Sequence, residues 1–229
     1  MAKIIELKNI NKFYGDKIKN QVLFDVNLAI EEGSFSSIIG QSGSGKSTML
    51  NILGTLDKPT SGEIIINGKE VSKMKPKELA VLRNQTLGFI FQFHYLLPEF
   101  TCLENILIPY KIEHGNVDAD AMKRAEELIE LVGLTKVKNN NALKMSGGQQ
   151  QRTAIARALM NRPKMILADE PTGNLDSDTT EQIYQLMREI NRKLGTTFLI
   201  ITHDQHIAEK TDRIIEIKDG RVILDVVNS

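Results

Sequence analysis

The chain has little of what marks a protein built for the cell exterior or the membrane interior. Cys102 is the only cysteine in 229 residues. No internal disulfide can form, and the chain reads as cytosolic. No apolar run approaches the roughly 18–20 residues of a membrane span. The opening "MAKIIELKNINKFYGDK" alternates apolar and polar residues and lacks the continuous apolar core of a signal peptide. An excess of either charge is missing too. Lys+Arg and Asp+Glu number 29 each, which leaves no global field to hold nucleic acid or an acidic membrane surface. Any service to a membrane passes through another chain that crosses it.

The rest of the composition is ordinary. Hydrophobic content of 41% and charge of 25% suit a soluble fold, and the length fits one large domain or a core with a smaller subdomain. "IIELKNI" and "LFDVNLAI" alternate as strands do, and "SFSSIIG" is a short strand feeding a glycine-rich stretch. A helix is expected from Lys46 to Leu53, with Gly54 past its end. "GEIIINGKEV" reads as a hairpin turned at Asn67-Gly68. Pro76 opens a short helix through Arg83, and "LGFIFQ" is a buried strand.

From Phe93 to Met160 the pattern becomes helical. Thr101 and Glu104 form a capping box, "DADAMKRAEELIELVG" stops at Gly133, and another helix starts near Gly147. Then "KMILADE" and "TTFLIIT" are apolar strands. Between them lies a helix ended by Gly195, and a hairpin turned at Asp219-Gly220 closes the chain. Apolar strands alternating with helices predict an α/β fold with a mainly parallel sheet.

Two stretches have the makings of anion cradles. Gly40-Gln41-Ser42-Gly43-Ser44-Gly45-Lys46-Ser47-Thr48 fits the P-loop pattern G-x-x-x-x-G-K-[ST]. Its glycines let backbone N–H groups wrap phosphate. Lys46 would reach the β- and γ-phosphates, and the Ser47 hydroxyl would ligate Mg²⁺. The pattern arises by chance in roughly 1% of chains this long; here it also has a strand before it and a helix after. The second stretch, Ser146-Gly147-Gly148-Gln149, stands about 100 residues later at the start of a helix, where free N–H groups and the positive helix end face an anion. It has no lysine and no acid of its own.

A P-loop needs an acid opposite. "MILADE" ends in Asp169 and Glu170, and alternation along a strand predicts that their side chains point to opposite faces. Asp169 would hold Mg²⁺ through water, and Glu170 would polarise the attacking water. Two acids ending a strand at the solvent edge are the plainer alternative. His203 follows "TTFLIIT", so it reaches the edge where α/β sheets bind ligands; there it would hydrogen-bond a γ-phosphate. His206 has no such position and reads as surface. Gln92 ends "LGFIF" in the same way, and its amide could ligate Mg²⁺.

In order, the P-loop, Gln92, Ser146 to Gln149, Asp169 and Glu170, the "GNLD" loop with Asp176, and His203 resemble the ATP-binding cassette (ABC) ATPases over essentially the whole chain. The resemblance implies a P-loop NTPase core of residues 1–92 and 161–229. An N-terminal antiparallel β subdomain and an inserted helical subdomain, 93–160, complete the single domain. It implies ATP and Mg²⁺ as ligands, with adenine stacked on Tyr14 or, as the alternative, Phe13. Met145 stands where the family's motif usually begins with leucine, an exchange that keeps volume and apolarity. Two subunits are expected to pack head to tail, each ATP lying between the P-loop of one and the SGGQ of the other; Asp176 would belong to the dimer loop.

Within that family, "GFIFQFHYLLPEFTCLENI" and "ADEPTGNLDS" look most like the ATPase subunits of lipoprotein-releasing and macrolide-exporter-type transporters. The resemblance puts the protein at the cytoplasmic face of the membrane, held by a separate transmembrane subunit. Phe93 to Leu97 resembles the surface that grips that subunit; otherwise it is helical-subdomain core, being too apolar for a solvated loop. A soluble ABC ATPase acting on nucleic acid or ribosomes is the competing class, against which stand the neutral charge, the single cassette and the absence of sustained heptads. A small-molecule kinase would leave SGGQ and His203 unexplained.

Overall fold

The structure, a computed structural model, describes residues 2–15 and 18–228. Two sheets carry it. β1 (Lys3–Tyr14), β2 (Asn20–Glu31), β4 (Ser61–Ile66) and β5 (Lys69–Glu70) form an antiparallel sheet in the order β2-β1-β4-β5. The larger sheet holds β3 (Phe35–Ile39), β6 (Leu87–Phe91), β7 (Met165–Asp169), β8 (Thr197–Ile201), β9 (Arg213–Lys218) and β10 (Arg221–Val227) in the order β10-β9-β3-β8-β7-β6. All its pairings are parallel except that of β9 with β10. The expected P-loop α/β class with an N-terminal antiparallel sheet and helical insertions is therefore what the chain adopts.

Helices begin where the sequence offers caps. α1 (Lys46–Leu53) has the expected bounds. α2 (Pro76–Thr86) runs three residues beyond Arg83. Nothing after Arg83 breaks a helix, so it ends only where Leu87 pairs with Met165. α3 (Cys102–His114) starts on the Thr101–Glu104 capping box, α4 (Ala119–Leu131) on Asp118, α5 (Gly147–Leu159) on a box of Ser146 and Gln149, and α6 (Ser177–Leu194) on Asp176. Each such cap is worth about 1 kcal/mol. The short α7 (Gln205–Glu209), capped by Asp204, was not expected. Both two-residue hairpin turns have positive φ at each position, 48° and 73° at Asn67-Gly68 and again at Asp219-Gly220, the geometry that matches strand twist.

The large sheet separates two cores. One face packs Phe35, Ile90, Ile166 and Phe198 against buried residues of α3 to α6, including Ile106, Leu128, Ile155 and Met187. The other packs Ile38, Leu167, Leu199 and Ile215 against α1 and the antiparallel sheet. The sheet is thus covered on both faces, which explains the unbroken apolar runs of its inner strands. It also fixes the C-terminal edge of β3, β6, β7 and β8, from which the candidate site is built.

Candidate functional site

The loop after β3 doubles back because its glycines permit it. Gly40 has φ 155°, and a Cβ there would stand 2.2 Å from the Ile217 carbonyl oxygen, so no other residue fits. Gly43 and Gly45 also take positive φ. Lys46 Nζ donates to the carbonyls of Gly40 at 2.6 Å and Gln41 at 2.8 Å. The Ser44 hydroxyl is buried in the loop without a hydrogen-bond partner among the described residues.

Ser42, Gly43, Gly45, Lys46, Ser47, Thr48, Asp169, Glu170 and His203 line one cavity of about 420 Å³, with Val22 and Ile201 completing its wall. One expectation is corrected here. Asp169 and Glu170 do not point to opposite faces. Glu170 lies just past β7 with φ 44°, outside the extended geometry on which alternation depends, so both carboxylates enter the same cavity. Burial holds the Asp169 carboxyl above its ordinary value; Glu170 adds to the rise and Lys46 opposes it. Glu170 Oε1 lies 2.8 Å from His203 Nδ1. His206 is exposed, as expected.

Gln92 reaches the same sheet edge but does not line the cavity. Its Nε2 donates to Asn174 Oδ1 at 3.1 Å, and Asn174 Nδ2 donates back to the Gln92 carbonyl at 3.2 Å. Nor does Tyr14 line it. The residue is 41% exposed at the end of β1, its hydroxyl donates to Asp57 at 2.8 Å, and Lys12 Nζ sits 4.6 Å from the ring centroid. Burial and the Asp57 carboxylate raise the Tyr14 hydroxyl above its usual value, with the Thr48 hydroxyl of the P-loop opposing. Phe13 is half-buried.

The second cradle opens elsewhere. Ser146, Gly147, Gly148 and Gln149 line a cavity of about 370 Å³ with Arg152, Asn174, Leu175, Asp176, Thr179 and Gln182. None of the described residues lines both cavities. Ser146 Oγ accepts from Gln149 N at 3.3 Å and Gln149 Oε1 accepts from Ser146 N at 3.0 Å, which leaves the hydroxyl proton free to donate. The expectation that this cradle has no acid is corrected, since Asp176 lines it. That carboxylate is engaged, however, accepting from Thr179 N at 2.9 Å and Thr179 Oγ1 at 2.7 Å as the α6 cap. Met145 is buried, as an apolar replacement for leucine should be.

The loop after Gln92 carries exposed apolar surface. Phe93 is 65%, Tyr95 63% and Leu97 44% exposed, while Leu96 is half-buried, so the stretch is not core. Two buried or half-buried side chains unremarked in the sequence pin its backbone. Arg157 donates to the His94 and Tyr95 carbonyls, both at 2.6 Å. Asn105, fully buried, accepts from Leu97 N at 2.8 Å and donates to the Leu97, Phe100 and Thr101 carbonyls. Beside the loop, Val81, Phe89, Phe91, Ile108 and Ile112 line a groove of about 700 Å³. Among the described residues no helix is long and apolar enough to cross a membrane.

The model of the ABC transporter family matches residues 23–173. The lipoprotein-releasing system ATP-binding protein LolD 1 of Rhodopseudomonas palustris is 47% identical over 224 residues, 97% of this chain and 99% of that protein. LolD of Anaeromyxobacter dehalogenans is 46% identical over 222 residues, 96% and 93% of the two chains. Among solved structures, the ATP-binding cassette MJ0796, a dimer in a post-hydrolysis state bound to ADP and Pi, superimposes with a TM-score of 0.88 at 44% identity, covering 97% of this chain and 98% of that one.

Proposed function

This chain belongs to the ABC transporter family as an ATP-binding subunit that hydrolyses ATP, and from that premise we propose that two copies close head to tail on two ATP molecules to drive a membrane protein of the lipoprotein-release or macrolide- and peptide-export type. The observation that carries this reading is the separation of the cradles. Lys46 and Ser146 line different cavities with no described residue in common, so a second copy is the natural source of the SGGQ that meets each P-loop. The dimeric state of the similar cassette supports the two-fold assembly, and the similarity to lipoprotein-releasing ATP-binding proteins supports the lipoprotein-release type.

In this reading the Gly40 to Thr48 backbone wraps the phosphates, Lys46 neutralises them, and Tyr14 carries the adenine. Glu170 is the general base for the attacking water, and His203 orients it. Mg²⁺ fits the donor set, because the Ser47 hydroxyl and Asp169 carboxylate are hard oxygens in one cavity. Asp169 would act through water, and Gln92 would join on leaving Asn174. When bound, the ion neutralises charge developing on the phosphates. Ser146 to Gln149 bind the ATP of the other copy, and Asp176 faces the dimer axis. Residues 93–160 act as the helical subdomain against a core of 1–92 and 161–229.

The membrane subunit docks on Phe93, Tyr95 and Leu97 and the adjoining groove, which holds the protein peripherally at the cytoplasmic face. The exposed apolar residues support this. A nucleic-acid partner is not expected, given the equal counts of acids and bases. Light scattering on Glu170→Gln with saturating Mg-ATP tests the assembly: a dimer is the expected result, and a persistent monomer rejects it.

A further inference from the structure

Gln151 is fully buried within α5, five residues after Ser146. Its Nε2 donates to the Pro171 carbonyl at 2.6 Å, while its Oε1 has no partner among the described residues. A buried amide with one of its two polar atoms unpartnered is costly to keep, so the bond it does make needs a reason. That bond falls on the residue directly after Glu170.

Glu170 needs holding. Its φ of 44° is a left-handed conformation that a residue with a Cβ adopts only when its surroundings enforce it. On the near side, Glu170 N donates to the Ile201 carbonyl at 2.8 Å; on the far side, Gly173 N donates to the Glu170 carbonyl at 3.0 Å. Gln151 adds the tether from outside the strand and its turn. α5 is also seated on the following segment. A Cβ on Gly147 would lie 3.3 Å from Leu175 and one on Gly148 2.8 Å from Thr179. The start of α5, capped by Ser146, is therefore packed directly on Leu175 and Thr179 and bonded to Pro171.

We propose that Gln151 is a positioning residue that fixes Glu170 in its left-handed conformation and ties it to the SGGQ helix of its own chain. The proposal rests on the reading of Glu170 as general base and of SGGQ as serving the other copy's ATP. An ATP gripped by Ser146 then acts, through α5 and Gln151, on the carboxylate of the opposite site.

Gln151→Met keeps length and burial but removes the donor; Gln151→Leu replaces it if that variant misfolds. With two identical chains, kcat is expected to fall about tenfold, the worth of one well-placed hydrogen bond, with the KM for ATP within about twofold. An unchanged kcat, or a loss confined to KM, overturns the proposal. In mixed dimers one chain carries Glu170→Gln, so a single Glu170 remains live, and single-turnover hydrolysis is followed. Gln151→Met in the chain of the live Glu170 should cost about tenfold. The same change in the Glu170→Gln chain, which lends its SGGQ to that site, should cost nothing. Equal loss in both arms, or loss only in the second, marks mere support of the helix and overturns the proposal. Failure of the shared-site reading shows separately, as absence of a Mg-ATP dimer in Glu170→Gln alone, and the kcat and KM of the uniform variant still decide on Gln151.

Discussion

His203 Nδ1 lies 2.8 Å from Glu170 Oε1. An ionised carboxylate only accepts hydrogen bonds, so in this pair Nδ1 is the donor. The imidazole is exposed and meets the largely buried carboxylate proposed above as the base; their side chains are 72% and 19% exposed. Glu170→Gln keeps shape and loses basicity. Its kcat should fall by about 10²–10⁴-fold while ATP affinity holds. His203→Ala removes a partner rather than the base and should cost roughly 10–100-fold, the worth of a hydrogen bond to a charged group. Steady-state hydrolysis beside equilibrium ATP binding checks both. Comparable losses in the two variants would reject the division of roles.

How far the site was legible depended on whether chemistry lay in a local pattern. The P-loop, the two acids and His203 each end a strand, and a parallel sheet brings strand ends together, so their meeting in one cavity followed from order alone. The orientation of Glu170 did not. Alternation holds only while the backbone stays extended, and Glu170 leaves it at φ 44°. Gln92 was expected at the cavity, and its strand does end there, but the choice between that cavity and Asn174 belongs to side-chain rotamers. Gln151 was hidden in a polar run, "QQQR", that reads as solvent-facing. The signal was its spacing, three and four residues before Ala154 and Ile155, which are both buried. Asn105 and Arg157 likewise sit on helices among apolar neighbours and hold loop carbonyls, Asn105 just ahead of its own helix and Arg157 from 62 and 63 residues away, which no periodicity reveals.

The raised Asp169 gives a pH-dependent prediction. Burial, then Glu170, lifts its carboxyl above 3.8 in the folded chain, against Lys46. A group raised on folding has its ionisation opposed by folding, so its favourable share is complete below 3.8 and lost as pH rises through the folded value. Asp169→Asn should therefore raise the Tm without nucleotide, more at pH 7 than at pH 4, while Mg-ATP hydrolysis falls. A Tm gain equal at both pH values would show that the carboxylate's charge is not what costs stability.

Exposure at Phe93 and Leu97 permits a clean separation of folding from docking. Phe93→Asp with Leu97→Asp changes surface residues, so stability should shift by no more than about 0.5 kcal/mol per site and basal ATPase should persist. An apolar side chain buried at an interface is worth about 1.5–3 kcal/mol, so affinity for a membrane subunit should drop by roughly tenfold or more. Pull-down from solubilised membranes with wild-type and variant protein measures it. Equal recovery by both would remove this loop from the docking surface.

The two cradles can be tested against each other directly. Lys46→Ala disables a P-loop, and Ser146→Ala weakens an SGGQ contact by about 1.5–3 kcal/mol. Ser146 also caps α5, so its Tm is measured first; loss of a cap costs only about 1 kcal/mol and leaves the fold intact. In uniform dimers of either variant both sites are damaged. When the two variants exchange subunits, one site of each mixed dimer collects both lesions, and the other joins an intact P-loop to an intact SGGQ. Random pairing makes half the dimers mixed, so roughly a quarter of the wild-type sites should reappear under two-fold assembly. Activity of the mixture should then exceed the mean of the separate variants. Because sites that fire only together would mask that gain, tightly held ATP per mixed dimer is counted as well, and one per dimer is expected. A mixture that holds ATP no better than its parts would mean that Lys46 and Ser146 never serve the same nucleotide from different chains.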